Sequence, residues 1–295
     1  MCSYKILNGG TTMKGSCFPW QTSVMCFYLI LALMKIASCE VLPNIKEFFP
    51  YIKNDLTKVT WAHDIATNNG IKVAKSAKAM MISSYITICY YKLTPWMEKD
   101  GMFTTAITLE ELLDKVAKVK SMGVQLNLRS TFELKQAIKV LQAMRRKLTF
   151  PLWLNAVTDN MEDKDVDEFL SLCTHNFPEA TISIGWSRMG QKAPSKPVKY
   201  NVELITKMKN TLILNNVTQT VAFPVEIRSA ALSLDTLPAL KDVHGITDSA
   251  LYIYGRLTGA DDYLGVVSQI RNLIKSFGKD RVYLDLHVNL VKDLI

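Results

Sequence analysis

Val59-Thr-Trp-Ala-His63 is a short β-branched and aromatic run that ends on a histidine, just ahead of the turn-rich stretch Thr67-Asn-Asn-Gly70. Such residues suit a pleated strand, and the Asn/Gly cluster suits the loop leaving it. Later segments repeat the form: a short apolar strand, a polar residue or Trp, then loop residues. Strand candidates begin near residues 59, 80, 124, 152, 181, 220, 250 and 281, with helical patterns between nearly all of them. Strict alternation of this kind implies a parallel sheet covered by helices. Eight such units in about 240 residues match a closed (β/α)8 barrel of the TIM type. The rival is an open doubly wound sheet, but no Gly-x-Gly-x-x-Gly follows the first strand to mark a dinucleotide site. The expected fold is α/β, one barrel over residues 40–295, behind an N-terminal leader.

The intervening helices have their own signals. Residues 42–53 read as a short amphipathic helix interrupted by Pro50, and Ile71–Ala79 as a lysine-faced helix. The second strand, Met80–Ile86, runs on or turns back through Thr87–Tyr91. Thr108-Leu-Glu-Glu111 is a capping-box pattern opening a helix that Gly123 is expected to end. Ser130/Thr131 with Glu133 open the next, and others are expected at Asp163–His175, Val202–Leu212, Leu232–Val243 and Tyr263–Phe277, the last closed by Gly278. The Gly/Pro/Lys-rich stretch Ser187–Val198 reads as a mobile loop. Nine residues follow the eighth strand, too few for a full covering helix. The 42–53 segment is therefore expected to close the barrel's bottom or fill that gap.

Hydrophobic residues make up 48% of the chain and charged residues 21%, which is globular and enough for one large core. Residues 1–39 differ, holding no acid and the eleven-residue apolar run Val24–Met34, interrupted by Lys35 and followed by Ala37-Ser38-Cys39. That length fits a signal-peptide core and falls short of the roughly 20 residues that span a bilayer. The expectation is a secreted, extracellular protein, with a membrane tether through residues 24–34 as the alternative. Residues 1–39 carry three of the 35 basic residues and none of the 27 acidic ones, so without them the net charge falls from +8 to +5. The densest basic run, Arg145-Arg146-Lys147, ends a predicted helix, where cations meet the helix dipole favourably. With no aromatic interleaving or zinc spacing, a nucleic-acid partner is not expected. Cys89 and Cys173 remain in the barrel, either bridged or as free thiols. Asn216-Val-Thr218 is the single glycosylation sequon, and it matters in a secreted glycoprotein.

In a parallel barrel all strand ends gather on one face, and a site is sought there. In order those ends carry His63 and Asp64; Ser83, Ser84 and Tyr85; Asn127 and Arg129; Asn155; Trp186 and Arg188; Glu226 and Arg228; Tyr254 and Arg256; Asp285 and His287. Arginine grips phosphate or carboxylate in bidentate fashion, and Trp or Tyr offers a face for stacking. Potential metal ligands come from separate corners without ligand spacing, so no metal site is assigned. A nucleophile elbow, P-loop, His-Glu-x-x-His and Cys-x-x-Cys are all absent from the sequence.

Six of these segments, in order and spacing, resemble the menorin family: Val59-Thr-Trp-Ala-His63, Val124-Gln-Leu-Asn-Leu-Arg129, Pro151-Leu-Trp-Leu-Asn-Ala156, Ile182-Ser-Ile-Gly-Trp186, Val221-Ala-Phe-Pro-Val225 and Val282-Tyr-Leu-Asp-Leu286. The resemblance covers about residues 45–290. It implies a TIM barrel related to the PLC-like glycerophosphodiester phosphodiesterases, in proteins that are typically secreted or membrane-tethered. It also implies a Glu-x-Asp pair on the second strand to hold a divalent cation, where this chain has Ser83 and Tyr85. Asn127 and Arg129 stand at the family's Leu-Asp-x-Lys, and Val157 at the Asp that commonly follows the fourth-strand motif. A second histidine of the family falls near Tyr90 and Tyr91.

Three formal negative charges are thus missing from the cradle the resemblance implies, and a cation there would find little compensation for its lost hydration. The expected function is binding by a pseudoenzyme without a cofactor. Asn127, Arg129, Asn155, Trp186, Arg188, Arg228 and Tyr254 would line the mouth. The expected partner is an extracellular protein, or a phosphorylated or sulfated ligand held by Arg129, Arg188 and Arg228. The alternative is a divergent phosphodiesterase acting on a glycerophosphodiester, with His63 catalytic and a divalent cation as its cofactor.

Overall fold

The computed structural model describes residues 42–89, 91–98, 105–158, 161–186, 197–257 and 262–295. The leader read in residues 1–39, the loop read at 187–198 for all but its last two residues, and Arg188 lie outside them.

Every strand expected from the sequence forms. β1 (Trp61–His63), β2 (Met81–Cys89), β4 (Gly123–Leu128), β5 (Leu152–Ala156), β6 (Thr181–Ile184), β7 (Val221–Glu226), β8 (Ser249–Tyr254) and β9 (Val282–Asp285) pair in parallel in that order. β2 runs past the barrel to Cys89 and returns as β3 (Thr94–Met97), an antiparallel hairpin pairing Ile86 with Met97 and Cys89 with Thr94. Among the described residues no ladder joins β9 to β1, so the barrel has one seam.

Successive side chains in a strand point to opposite faces, and this alternation splits the core in two. Val124, Leu126 and Leu128 of β4, Leu152 and Leu154 of β5, and Leu251 and Ile253 of β8 face outward into one large cluster shared with the helices. The covering helices are α2 (Asn68–Ser76), α3 (Leu109–Val119), α4 (Thr131–Ala143), α5 (Asp163–Asn176), α6 (Val202–Leu214) and α8 (Tyr263–Phe277). Met81, Trp153, Tyr252 and Tyr283 face inward into a second cluster that fills the bore. Trp61 joins them, its ring 5.3 Å from Trp153 and 4.8 Å from Tyr252. An eight-stranded bore is just wide enough for side chains to fill, and here aromatics fill it.

The N-terminal segment does plug the bottom. α1 (Ile45–Phe48) is capped by Asn44 and Glu47 in a capping box and is followed by a 3-10 turn at Pro50–Ile52. Ile45, Phe49, Ile52 and Leu56 seat in the same cluster as Met81 and Trp153.

Three expectations need correction. Gly123 does not end α3; Lys120 does, in the left-handed conformation at φ 54°. Gly123 instead opens β4 because a Cβ there would lie 2.4 Å from Met81 Sδ and 2.9 Å from the Pro151 carbonyl oxygen. The helix expected at Leu232–Val243 is a short α7 (Ile227–Ala231) and a 3-10 turn at Leu237–Lys241. Ser233 and Thr236 divert the chain there by bonding backbone: Ser233 Oγ donates to Ser229 O and accepts from Tyr200 N. Third, the last nine residues do build a cover, α9 (Val288–Leu294), which buries Leu290 and Leu294 one turn apart and packs on α8. Cys89 and Cys173 are both free, and burial pushes the Cys173 thiol well up.

Gly123→Ala is expected to destabilise the barrel by about 1–3 kcal/mol through overpacking. Gly70→Ala meets nothing closer than 3.4 Å within α2 and is expected to be neutral or stabilising by about 0.5–1 kcal/mol. Urea unfolding of the two variants checks the contrast.

Candidate functional site

Period-two alternation decides which side chains reach the strand-end face. Above the aromatic filling, the inward positions turn polar: His63 on β1, Ser83 and Tyr85 on β2, Gln125 and Asn127 on β4, Asn155 on β5, Tyr254 on β8 and Asp285 on β9. They line a cavity of about 380 Å³. A second cavity of about 740 Å³ shares the wall of His63, Tyr254 and Asp285 and continues past Trp61 to Arg256 and His287.

Two hydrogen-bonded sets organise the first cavity. One is an amide relay: Asn155 Nδ2 donates to Asn127 Oδ1 at 2.8 Å, and Asn127 Nδ2 donates to Ser83 Oγ at 2.9 Å. Strand register makes it possible, since Asn127 lies directly beside Asn155 across β4 and β5. The other set sits on the seam. His63 Nε2 lies 2.8 Å from Asp285 Oδ1, and Tyr252 donates its hydroxyl to Asp285 Oδ2. An ionised carboxylate only accepts, so Nε2 carries the proton in that bond. The hydrogen bond His63 donates to Asp285, and the nearby charges of Asp285 and Asp64, raise the His63 pKa against the opposing effect of burial. Burial and Asp285 together push the Tyr252 phenol well up, so it stays a donor. Asp64, next to His63, is exposed and left-handed at φ 56°.

The remaining sequence candidates lie elsewhere. Arg129 is tied to Glu98, which follows β3, and its guanidinium lies over the Tyr85 ring at 4.4 Å. Arg228 Nε bonds Glu226 Oε1 at 2.8 Å. Neither arginine lines the cavity. Trp186 is buried in the outer core, because Gly185 takes the inward place before it. His63, Asn127, Asn155 and Tyr254 are therefore brought together, while Arg129, Arg228 and Trp186 are not. Sequence reasoning passed over Gln125, Tyr252 and the pairing of Asp285. A stricter use of alternation would have found them, since Gln125 and Tyr252 stand two residues before Asn127 and Tyr254.

The divalent cation implied by the resemblance does not fit this donor set. Ser83, Tyr85 and Asn127 offer neutral oxygens where a hard cation takes carboxylates. Asp285 already accepts from two partners. Among the described residues no three His, Cys, Asp or Glu side chains converge to hold a metal.

Comparison with known proteins adds the following. A profile of the menorin N-terminal domain matches residues 55–291. The human protein FAM151B is 25% identical over 255 residues, covering 82% of this chain and 89% of that protein. Among solved structures, a glycerophosphodiester phosphodiesterase from Parabacteroides distasonis superposes with a TM-score of 0.50 at 13% identity, covering 81% of this chain and 97% of its own. An Oleispira antarctica phosphodiesterase, solved with the product sn-glycerol-3-phosphate, gives 0.50 at 10% identity, covering 79% and 95%. At such identities the structures establish a shared barrel fold and nothing about chemistry.

A raised histidine pKa stabilises the fold fully below the unfolded value of about 6.5 and loses that contribution as pH rises through the folded value. The melting temperature of the wild type is therefore expected to fall with rising pH across that window more than that of His63→Asn. Asp285→Asn should bring the His63 titration, followed by the NMR shift of its ring proton, back toward the ordinary value.

Proposed function

The chain belongs to the menorin family, and from that membership we propose a barrel that binds a small polar ligand in its strand-end cavity and performs no metal-dependent catalysis. The observation that carries this reading is the amide relay, which occupies the place where the resemblance calls for carboxylates. Divalent cations demand charge compensation for dehydration, and a row of Ser, Asn and Asn supplies none. Cavity size supports binding as well, since small-molecule sites run from about 300 to 1,000 Å³. The acid partners of Arg129 and Arg228 speak against those arginines as the grip on a phosphate or sulfate. The leader-like composition of residues 1–39 supports entry into the secretory pathway. Asn216 is exposed just after α6, which leaves its sequon open to glycosylation.

A second reading, metal-independent turnover of a phosphodiester, draws on the His63–Asp285 pair. A carboxylate-bonded imidazole is a usual acid/base device. Its raised pKa suits His63 to giving a proton more than to taking one. Steady turnover of a glycerophosphodiester in the presence of chelator, lost in His63→Ala, would establish this reading and displace the first.

Millimolar Ca²⁺, Mg²⁺ or Mn²⁺ is expected to leave the melting temperature unchanged. A site filled at hundredfold excess would instead stabilise the fold by about 2.7 kcal/mol, and a saturable rise of that kind would sink the proposal. Expressed in secretory cells, the protein should appear in the medium with a glycan mass that Asn216→Gln removes.

A further inference from the structure

We propose that the strand-end cavity holds one ring of an uncharged, polyhydroxylated ligand, a sugar, between the Ser83–Asn127–Asn155 relay and the tyrosines of β8. The proposal rests on the binding reading above and names the ligand class of that same cavity.

The relay has a direction, and its two ends need opposite partners. At one end Asn155 Oδ1 is a buried acceptor without a hydrogen bond. At the other, Ser83 Oγ accepts from Asn127 and keeps its own proton to donate. Gln125, 2% exposed on the same wall, adds a second buried acceptor without a partner, its Oε1. A buried acceptor left unpaired costs about 1–3 kcal/mol, so a ligand that completes these ends gains from doing so. Such a ligand must both donate and accept. Hydroxyl groups do both, whereas sulfate and carboxylate only accept and ammonium only donates.

Charge points the same way. The lining carries Asp64 and Asp285 against one histidine, and the neighbouring arginines are engaged by Glu98 and Glu226. An anion would enter against that balance. Tyr252 and Tyr254 stand in a stacked column with ring centroids 6.1 Å apart and planes 25° from parallel. Both line the cavity: Tyr252 is held from below by Trp61 and Trp153, and Tyr254, stacked on it, offers an apolar surface to the C–H face of a sugar ring. Beyond the wall of His63, Tyr254 and Asp285, the larger cavity of about 740 Å³ leaves room for the next unit of a glycan.

The test is calorimetric titration of the purified protein with glucose, galactose and N-acetylglucosamine, beside glucose 6-phosphate, glucosamine and inorganic phosphate. At least one neutral sugar is expected to bind saturably. Its charged counterparts should bind about tenfold more weakly or worse, a difference of about 1.4 kcal/mol. Ser83→Ala and Asn155→Ala should each weaken the neutral sugar about tenfold while Arg129→Ala leaves it unchanged. Should Asn155→Ala fail to fold, Ser83→Ala, which deletes one oxygen, carries the test alone. Failure of every neutral sugar to bind, or equal binding of glucose 6-phosphate, overturns the inference. Phosphate binding without sugar binding does so while leaving the binding reading in place, whereas a metal-driven rise in melting temperature strikes that reading separately.

Discussion

The edge-to-face contacts among Trp61, Trp153, Tyr252 and Tyr283 hold up everything above them, because a bore of eight strands must be filled for the strands to keep their spacing. Each ring comes from a different strand, so the group ties β1, β5, β8 and β9 together, including the two strands that share no ladder. Tyr252 belongs to both storeys. Its ring packs against the tryptophans, and its hydroxyl reaches up to Asp285. The position of the site's carboxylate is thereby set by hydrophobic packing underneath it. The bottom plug of Ile45, Phe49 and Leu56 seals the same filling from below.

On that base the mouth is a polar layer whose charges are mostly spoken for. Glu98 holds Arg129, Glu226 holds Arg228, and Asp285 holds His63. What remains directed at the cavity is amide, hydroxyl and phenol, with the exposed carboxylate of Asp64 at its edge. Pairs still partly open to water, as these are, add little to stability, about 0–1 kcal/mol each. Their consequence is electrostatic: they leave the cavity close to neutral, with a slight acidic bias.

The architecture was legible because alternation is a long-range pattern repeated eight times, and each strand restates it. Capping signals also read well, as Thr108 with Glu111 and Ser130 with Glu133 form in the structure as expected. Local chemistry misled where a single residue had two uses. Gly123 looked like a helix stop and is a strand glycine pressed against Met81. Ser233 and Thr236 looked helical but bond backbone groups. At the site, proximity to a strand end selected His63, Asn127, Asn155 and Tyr254, which line one cavity. It also selected Arg129, Trp186 and Arg228, whose side chains point elsewhere. Counting strand ends reveals which residues are near the face; only inward parity and the partners of each charge reveal which ones look into the bore. Glu98, arriving on the β2–β3 hairpin, is such a partner, and no local signal marks it.

The seam between β9 and β1 gives the barrel a mechanical character that a fully laddered one lacks. A continuous hoop of hydrogen bonds resists ovalisation everywhere at once, and widening it means breaking a ladder. An interrupted hoop can dilate at one line, where, among the described residues, a side-chain bond between His63 and Asp285, 222 residues apart in sequence, spans the mouth. With Tyr254, that bond also forms the wall shared by the two cavities. The line along which the barrel is unlaced and the surface its cavities expose therefore meet at the same two side chains.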